Sequence, residues 1–189
     1  MKSNARKAIA AIVLALTVAT GAVAAESKTE AASVTLGGVE YFHRWSQGDQ
    51  HEFTPRGQEN LEHWSDMVTI NYYRQVADGD RLAATANGAL ENYKNNHAMI
   101  LRTNSVPRLF DRPAEYLIVV LFPQTEVIEA VFARFKMVGG VGASAIYSHR
   151  EYGKKIGEQM SAWLTKNGTA VEKALMNWEK IPLPDGPKK

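Results

Sequence analysis

The sequence predicts an α+β fold in which helices cover both faces of a mostly antiparallel sheet, as an α/β/α sandwich. Residues 116–122 form an apolar run without a polar residue, which is typical of a strand buried on both faces. Two segments repeat their apolar residues at helical spacing, near residues 82–93 and 156–178. Three segments alternate instead, as strands with one face on a core do: residues 67–73, 127–138 and 141–150. Because strand pairs separate the helices, we expect one sheet of antiparallel neighbours.

The first 25 residues differ from the rest and predict a secretory signal peptide. Three basic residues and no acidic residue precede an apolar segment over residues 8–18, and small residues at 22–25 allow cleavage after Ala24 or Ala25. The alternative is an uncleaved anchor helix. It is disfavoured because the apolar segment is short for a membrane span and is followed by Thr20 and Gly21. We therefore expect export to the periplasm and no stable membrane insertion after cleavage.

Removing this segment changes the charge of the protein. The chain has 22 basic and 20 acidic residues, and the first 25 carry three of the basic ones and none of the acidic ones. The remaining 19 basic and 20 acidic residues give a net charge of about −1, so the composition does not indicate a nucleic-acid partner. The absence of cysteine excludes disulfides and thiolate metal sites.

The predicted division is a signal peptide over residues 1–25, a flexible arm over 26–38, a single domain over 39–180 and a loose tail over 181–189. The domain begins with a hairpin of strands 39–45 and 51–54 around a turn. One or two helical turns over residues 58–64 lead into the strand 67–73. Either Asp78 or Asp80 can cap the helix that follows.

A strand over residues 98–105 precedes the apolar run, which we place at the centre of the sheet. Its four inner residues, Ile118, Val119, Val120 and Leu121, should then be nearly inaccessible to solvent. Gly139 and Gly140 predict a hairpin turn between the last two strands. The C-terminal helical pattern nearly keeps its phase across Gly168, so one kinked helix and two separate helices both remain open.

This element order, with a first hairpin that ends in Phe53-Thr54-Pro55, resembles the Mog1/PsbP-like fold. The strings Trp-Ser-Asp-Met-Val-Thr at 64–69 and Tyr-Ser-His-Arg at 147–150 also resemble a family of small exported bacterial proteins of unassigned function. The fold resemblance implies a scaffold that mostly binds other macromolecules, such as a photosystem or a small GTPase. The resemblance to the family of exported proteins brings no catalytic residues.

The first hairpin is the candidate binding site, because aromatic and basic residues follow one another there. If side chains alternate strictly, Tyr41, His43 and Trp45 share one face, and Phe42 and Arg44 share the other. Aromatic residues and arginine are the types that anchor interfaces. Two histidines on the opposing strands should face each other. The predicted binding residues are Phe42, His43, Arg44, Trp45 and His51.

No catalytic residue, metal site or cofactor is predicted. The chain contains no Gly-x-Ser-x-Gly elbow and no closely spaced histidine pair of the kind that binds zinc. Ser148 and His149 are neighbours on a predicted strand, so they point to opposite faces and cannot act as a dyad.

Three functions remain open at this stage. The first is a non-enzymatic periplasmic module that binds a protein or a small ligand through its sheet edge or the first hairpin. The second is a hydrolase or other enzyme whose site is assembled from dispersed His, Asp and Glu residues. The third is an envelope-associated homodimer joined through strands. A cleft with converging titratable groups would favour the enzyme, and a shallow apolar patch would favour the module.

Overall fold

The computed structural model of the protein describes residues 32–184, and these residues form eight strands and two helices. The predicted signal peptide lies outside the described residues. The strands are β1 (Ser33–Leu36), β2 (Val39–Gln47), β3 (Gln50–Pro55), β4 (Asp66–Tyr73), β5 (Met99–Val106), β6 (Glu115–Pro123), β7 (Val127–Val138) and β8 (Val141–Tyr152). The helices are α1 (Gly79–Asn95) and α2 (Ile156–Met176).

All eight strands belong to one sheet in the order β1-β2-β3-β4-β8-β7-β6-β5, and every neighbouring pair is antiparallel. The two helices pack on opposite faces, which we name the α1 face and the α2 face. The predicted α+β class is therefore confirmed. Gly139 and Gly140 form the turn between β7 and β8, as predicted, with φ angles of 57° and 85° that favour glycine.

A side-chain hydrogen bond fixes the start of helix α1, and both helices pack on the sheet. Asp78 caps α1, because its Oδ1 accepts a hydrogen bond of 2.8 Å from the backbone N–H of Arg81. Helix α1 packs against β6 and β7. Helix α2 is continuous across Gly168 and packs against β7 and β8. No helix among residues 32–184 is long and apolar enough to cross a membrane.

The prediction that residues 116–122 lie at the centre of the sheet is wrong. Strands β4 and β8 occupy the middle, and β6 lies next to the edge strand β5. Ile118, Val119 and Val120 are buried, as expected, but Leu121 is only half-buried. The apolar run marks the part of the sheet that has cover on both faces, which is a different property from a central position.

Strands β7 and β8 also differ from the prediction, which gave each of them one face on a core. Both faces of these strands are buried over most of their length. The reason is that both helices lie over β7, and β8 is covered by α2 on one face and by side chains around Trp64 on the other. The polar residues that made the sequence pattern look alternating, such as Glu129, Ser144 and Ser148, are themselves buried.

Three predicted boundaries need correction. The predicted flexible arm over 26–38 contains strand β1, which pairs with β2 and buries Val34 and Leu36. Residues 58–64 form turns rather than a helix. The predicted loose tail begins with Ile181, which is buried, and the carbonyl of Pro182 accepts a hydrogen bond of 2.6 Å from the hydroxyl of Tyr72.

Candidate functional site

A β-bulge in the first hairpin decides which of its side chains share a face. His43 lies opposite Phe53, whereas Trp45 lies opposite Glu52, so one residue of β2 is extra at this point. Residues opposite each other in a sheet point to the same side, and Phe42 lies opposite Thr54, two residues from Glu52. Trp45 therefore shares the α1 face with Phe42. The expected grouping of Trp45 with Tyr41 and His43 is wrong because strict alternation does not hold across a bulge.

On the α1 face, the ring of Phe42 lies close to two guanidinium groups. The Cζ atoms of Arg44 and Arg56 are 5.7 Å and 5.0 Å from its centroid, within cation–π range. Arg44 is fixed in place, since its Nε donates to Thr54 Oγ1 at 2.9 Å and its Nη2 lies 3.2 Å from Glu59 Oε1. Arg56 is exposed. We call Phe42, Arg44, Trp45 and Arg56 the hairpin surface.

The two predicted histidines lie on the other face of the same hairpin. His43 Nε2 is 2.6 Å from Ser46 Oγ, and that oxygen is 2.7 Å from His51 Nδ1. Burial and the charge of His51 lower the pKa of His43. One hydroxyl proton can serve only one of these two contacts, so at least one imidazole donates to Ser46. The five predicted binding residues are thus divided, with three on the α1 face and two on the α2 face.

The middle of the sheet brings together the two sequence strings at residues 64–69 and 147–150. In the β4–β8 ladder, Asp66 lies opposite His149, and Val68 lies opposite Tyr147. On the α2 face, three residues of this ladder form a contact network with one further residue of β8 and one of α2, and we call this network the clasp. Its members are Asp66, Tyr147, His149, Glu151 and Trp163.

The other residues of the clasp contact His149 on three sides. Its Nδ1 is 3.0 Å from Asp66 Oδ1, and its Nε2 is 3.2 Å from Glu151 Oε1. The ring stacks on Trp163 at a centroid distance of 3.9 Å and an interplanar angle of 6°. Tyr147 also donates a hydrogen bond of 2.5 Å to Asp66 Oδ1. These contacts join β4, β8 and α2.

The electrostatics of the clasp keep Asp66 ionised. Burial alone would raise the pKa of Asp66, but hydrogen bonds from His149 and Tyr147 and the charge of His149 outweigh it, so the pKa is lowered. Burial and the neighbouring carboxylate raise the pKa of Tyr147, which therefore stays protonated as a donor. Because His149 is only 6% exposed and both of its ring nitrogens face carboxylates, the clasp fits a structural role better than acid–base catalysis.

The α1 face of the same strands carries a buried polar row. Arg150 Nε donates to Glu129 Oε2 at 2.9 Å, and the Arg150 guanidinium lies 4.0 Å from the ring centroid of Trp64. Among the described residues, five buried atoms on and beside this row have no hydrogen-bond partner: Trp64 Nε1, Thr69 Oγ1, Asn71 Oδ1, Glu129 Oε1 and Ser148 Oγ.

The clasp and the polar row were not predicted as sites. Their sequence signal was the pair of strings at 64–69 and 147–150, but only the strand register shows that the two strings are neighbours. The opposite orientations of Ser148 and His149 are as predicted. Within residues 32–184, no group of three or more His, Cys, Asp or Glu side chains is placed to hold a metal ion.

No family model and no curated protein matches the chain. Solved structures that are similar include the Ran-binding protein Mog1p of Saccharomyces cerevisiae, at 10% identity and a TM-score of 0.48, covering 78% of this chain and 91% of that one. A variant of the protein Mog1 matches at 11% identity and a TM-score of 0.47, covering 78% and 92%. Human STARD10 matches at 9% identity and a TM-score of 0.30, covering 73% and 74%. These are weak likenesses of fold, two of them to Mog1 as the sequence predicted, and no activity or partner follows from them.

Proposed function

We propose that the protein is an exported, non-enzymatic module that binds an acidic protein partner through the hairpin surface. The observation that carries the proposal is the placement of Phe42 beside the guanidinium groups of Arg44 and Arg56. An aromatic ring flanked by arginines offers both apolar contact and charge-assisted hydrogen bonds to carboxylates. Acidic side chains of a partner are the natural complement of such a surface.

The surroundings of the hairpin surface support this proposal in two ways. Helix α1 packs on β6 and β7, at the other end of the same face, so it does not cover β2 and β3. The hydrogen bond from Arg44 to Thr54 and the ion pair with Glu59 hold that guanidinium in one orientation before any partner arrives. Such preorganisation lowers the entropy cost of binding.

The export part of the proposal rests on the first 25 residues. Their order of basic residues, apolar segment and small residues is that of a cleavable signal peptide. The mature protein would then meet its partner in the periplasm. Its own net charge of about −1 does not attract an acidic partner, so attraction must come from the local arginines of the hairpin surface.

A capture experiment tests the proposal. Residues 26–189 are immobilised and exposed to an envelope extract of the producing cells at low and at high salt. We expect one or a few acidic proteins to be retained at low salt and released as salt screens the arginine contacts. Retention that does not respond to salt, or that is equal on a column of the Phe42→Ala, Arg56→Ala double variant, would contradict the proposal.

A further inference from the structure

The exposed apolar side chains of the described residues are concentrated at one edge of the sheet. Strand β5 exposes Met99, Ile100 and Leu101, with Met99 57% accessible, and the loop after it exposes Leu109 and Phe110. Elsewhere in residues 32–184, Val39 and Leu183 are the other large apolar residues with comparable exposure. Exposed apolar residues concentrated along one edge in this way indicate an interaction surface.

Strand β5 is also an edge strand with little of the usual protection. It pairs with β6 on one side, and no strand of residues 32–184 pairs with its other side. Natural edges are generally protected by charges, prolines, β-bulges or very short strands, and of these β5 has one charge and the bulge at Leu101. Within the eight residues of β5 the only charge is Arg102, and its guanidinium is drawn toward α2 by Glu172 at 3.3 Å. Most of the outer side of β5 can therefore pair with another strand, although the backbone N–H of Ser105 donates locally to Asn104 Oδ1 at 2.8 Å.

We propose that a second copy of this chain occupies the edge, with two β5 strands pairing antiparallel about a two-fold axis through Thr103. The two sheets then form one continuous sheet with sixteen strands, eight from each copy. The α1 faces of both copies lie on one side of it, and the α2 faces lie on the other. This inference concerns the edge opposite the first hairpin, so it is independent of the proposed function.

The position of the axis follows from the geometry of the sheet. Residues opposite each other must point to the same face, so one residue must lie opposite its own copy. The axis then lies midway between these two copies, which is what an axis through that residue means here. An axis through Arg102 would place two guanidinium groups opposite each other, which is unfavourable. An axis through Asn104 would bring Pro107, which has no N–H, into the ladder.

An axis through Thr103 uses the whole strand without a like-charge contact. Thr103 meets its own copy, a favourable cross-strand pair, and Arg102 meets Asn104. In the ladder between β5 and β6, Leu101 is the extra residue of a β-bulge. With the same bulge in the dimer, Ile100 meets Ser105, and Met99 meets Val106.

In the antiparallel dimer, the exposed loop after β5 lies near apolar residues of the second copy. The C-terminal end of one β5 lies beside the N-terminal end of the other, so Leu109 and Phe110 of one copy lie at the same end as Met99 of the second. The apolar residues at the two ends of the edge are thus complementary to each other, as an isologous interface requires.

Because the chain has no cysteine, a single introduced thiol tests the register directly. We expect mature Thr103→Cys protein to form a disulfide-linked dimer under mild oxidation, since the two thiols face each other at the axis. Ser105→Cys is the matched control, because Ser105 is exposed on the same face but lies away from the axis. Equal cross-linking of both variants would indicate random collision and would overturn the register.

Sedimentation of the protein without cysteine tests the dimer itself. We expect a monomer–dimer equilibrium that Thr103→Lys weakens about tenfold or more, because two ammonium groups are forced together at the axis. Circular dichroism of Thr103→Lys checks that the exposed substitution leaves the fold intact. A wild-type monomer at every concentration, with no Thr103→Cys dimer, would overturn the proposal and leave the edge to a strand from another protein.

Discussion

Nδ1 of His149 lies 3.0 Å from Oδ1 of Asp66, and this contact joins the two middle strands of the sheet. The same carboxylate accepts a hydrogen bond from Tyr147. The histidine stacks on Trp163 of α2, so the strand pair and the helix share one network. Asp66 is the central acceptor of the clasp, and its charge should contribute to stability in a way that depends on pH.

We expect Asp66→Asn to lower the free energy of unfolding at neutral pH by about 1–3 kcal/mol, since Tyr147 and His149 lose a charged acceptor. The folded-state pKa of Asp66 is lowered, so its stabilisation is present above the unfolded-state pKa of about 3.9 and disappears as the pH falls through the folded-state value. Urea unfolding of both proteins over a pH series measures the difference. Asp111→Asn, in an exposed loop, is the control. A difference that stays constant down to low pH would contradict the assignment.

His43 should destabilise the fold when it is protonated. Its pKa is lowered by burial and by His51, so the unfolded chain takes up a proton at a higher pH than the folded protein does. Stability should therefore fall as the pH drops through about 6.5, the ordinary value for histidine. His43→Gln should flatten this part of the stability curve, whereas His97→Gln, at an exposed position, should not. An NMR titration that placed the pKa of His43 above 6.5 would refute the prediction.

A substitution at Val120 tests whether both faces of β6 are buried. It is completely buried, so an aspartate there would place a carboxylate without a partner in the core. That costs several kcal/mol, comparable to the whole stability of a domain, and Val120→Asp should not fold. Leu183→Asp, at an exposed apolar position, should fold normally. A cooperative thermal transition of Val120→Asp protein would show that this packing is wrong.

The signal peptide is tested by the mass of the exported protein. We expect cleavage after Ala24 or Ala25, because basic residues, an apolar segment and small residues occur in the required order. Intact-mass analysis of the periplasmic fraction identifies the cleavage point. Recovery of the full-length chain from the membrane fraction would instead support an anchor helix.

The sequence predicted local patterns better than long-range ones. Strand β4 and the turn at Gly139 and Gly140 were predicted correctly, because each depends on residues close in sequence. The sequence offered Asp78 and Asp80 as caps of α1, and the structure has Asp78 in that position. The place of β6 in the sheet was wrong, because an apolar run reports cover by helices and carries no information about strand order. Residues 58–64 contain helix formers, but Gln58 hydrogen-bonds to the backbone of Ser65 and Asp66 and holds the segment in a turn.

The candidate site shows the same limit. The sequence identified the residues of the first hairpin, but it could not place Trp45, because a bulge is a property of the ladder between β2 and β3. The clasp depends on the pairing of Asp66 with His149, which are 83 residues apart in the chain. Periodicity and motifs report neighbours within a segment, so this pair was visible only as two separate strings.

The most direct test of the proposed function compares partner capture and thermal stability on the same variants. We expect Arg56→Ala to keep the wild-type melting temperature, because Arg56 is exposed, and to lose most of the salt-sensitive capture. Phe42→Ala should add to the loss of capture with a modest loss of stability, since the ring is half-buried. Arg112→Ala removes the same charge from an exposed loop position and should leave both quantities unchanged. Full capture by a folded Phe42→Ala, Arg56→Ala double variant would contradict the proposal that the hairpin surface binds the partner.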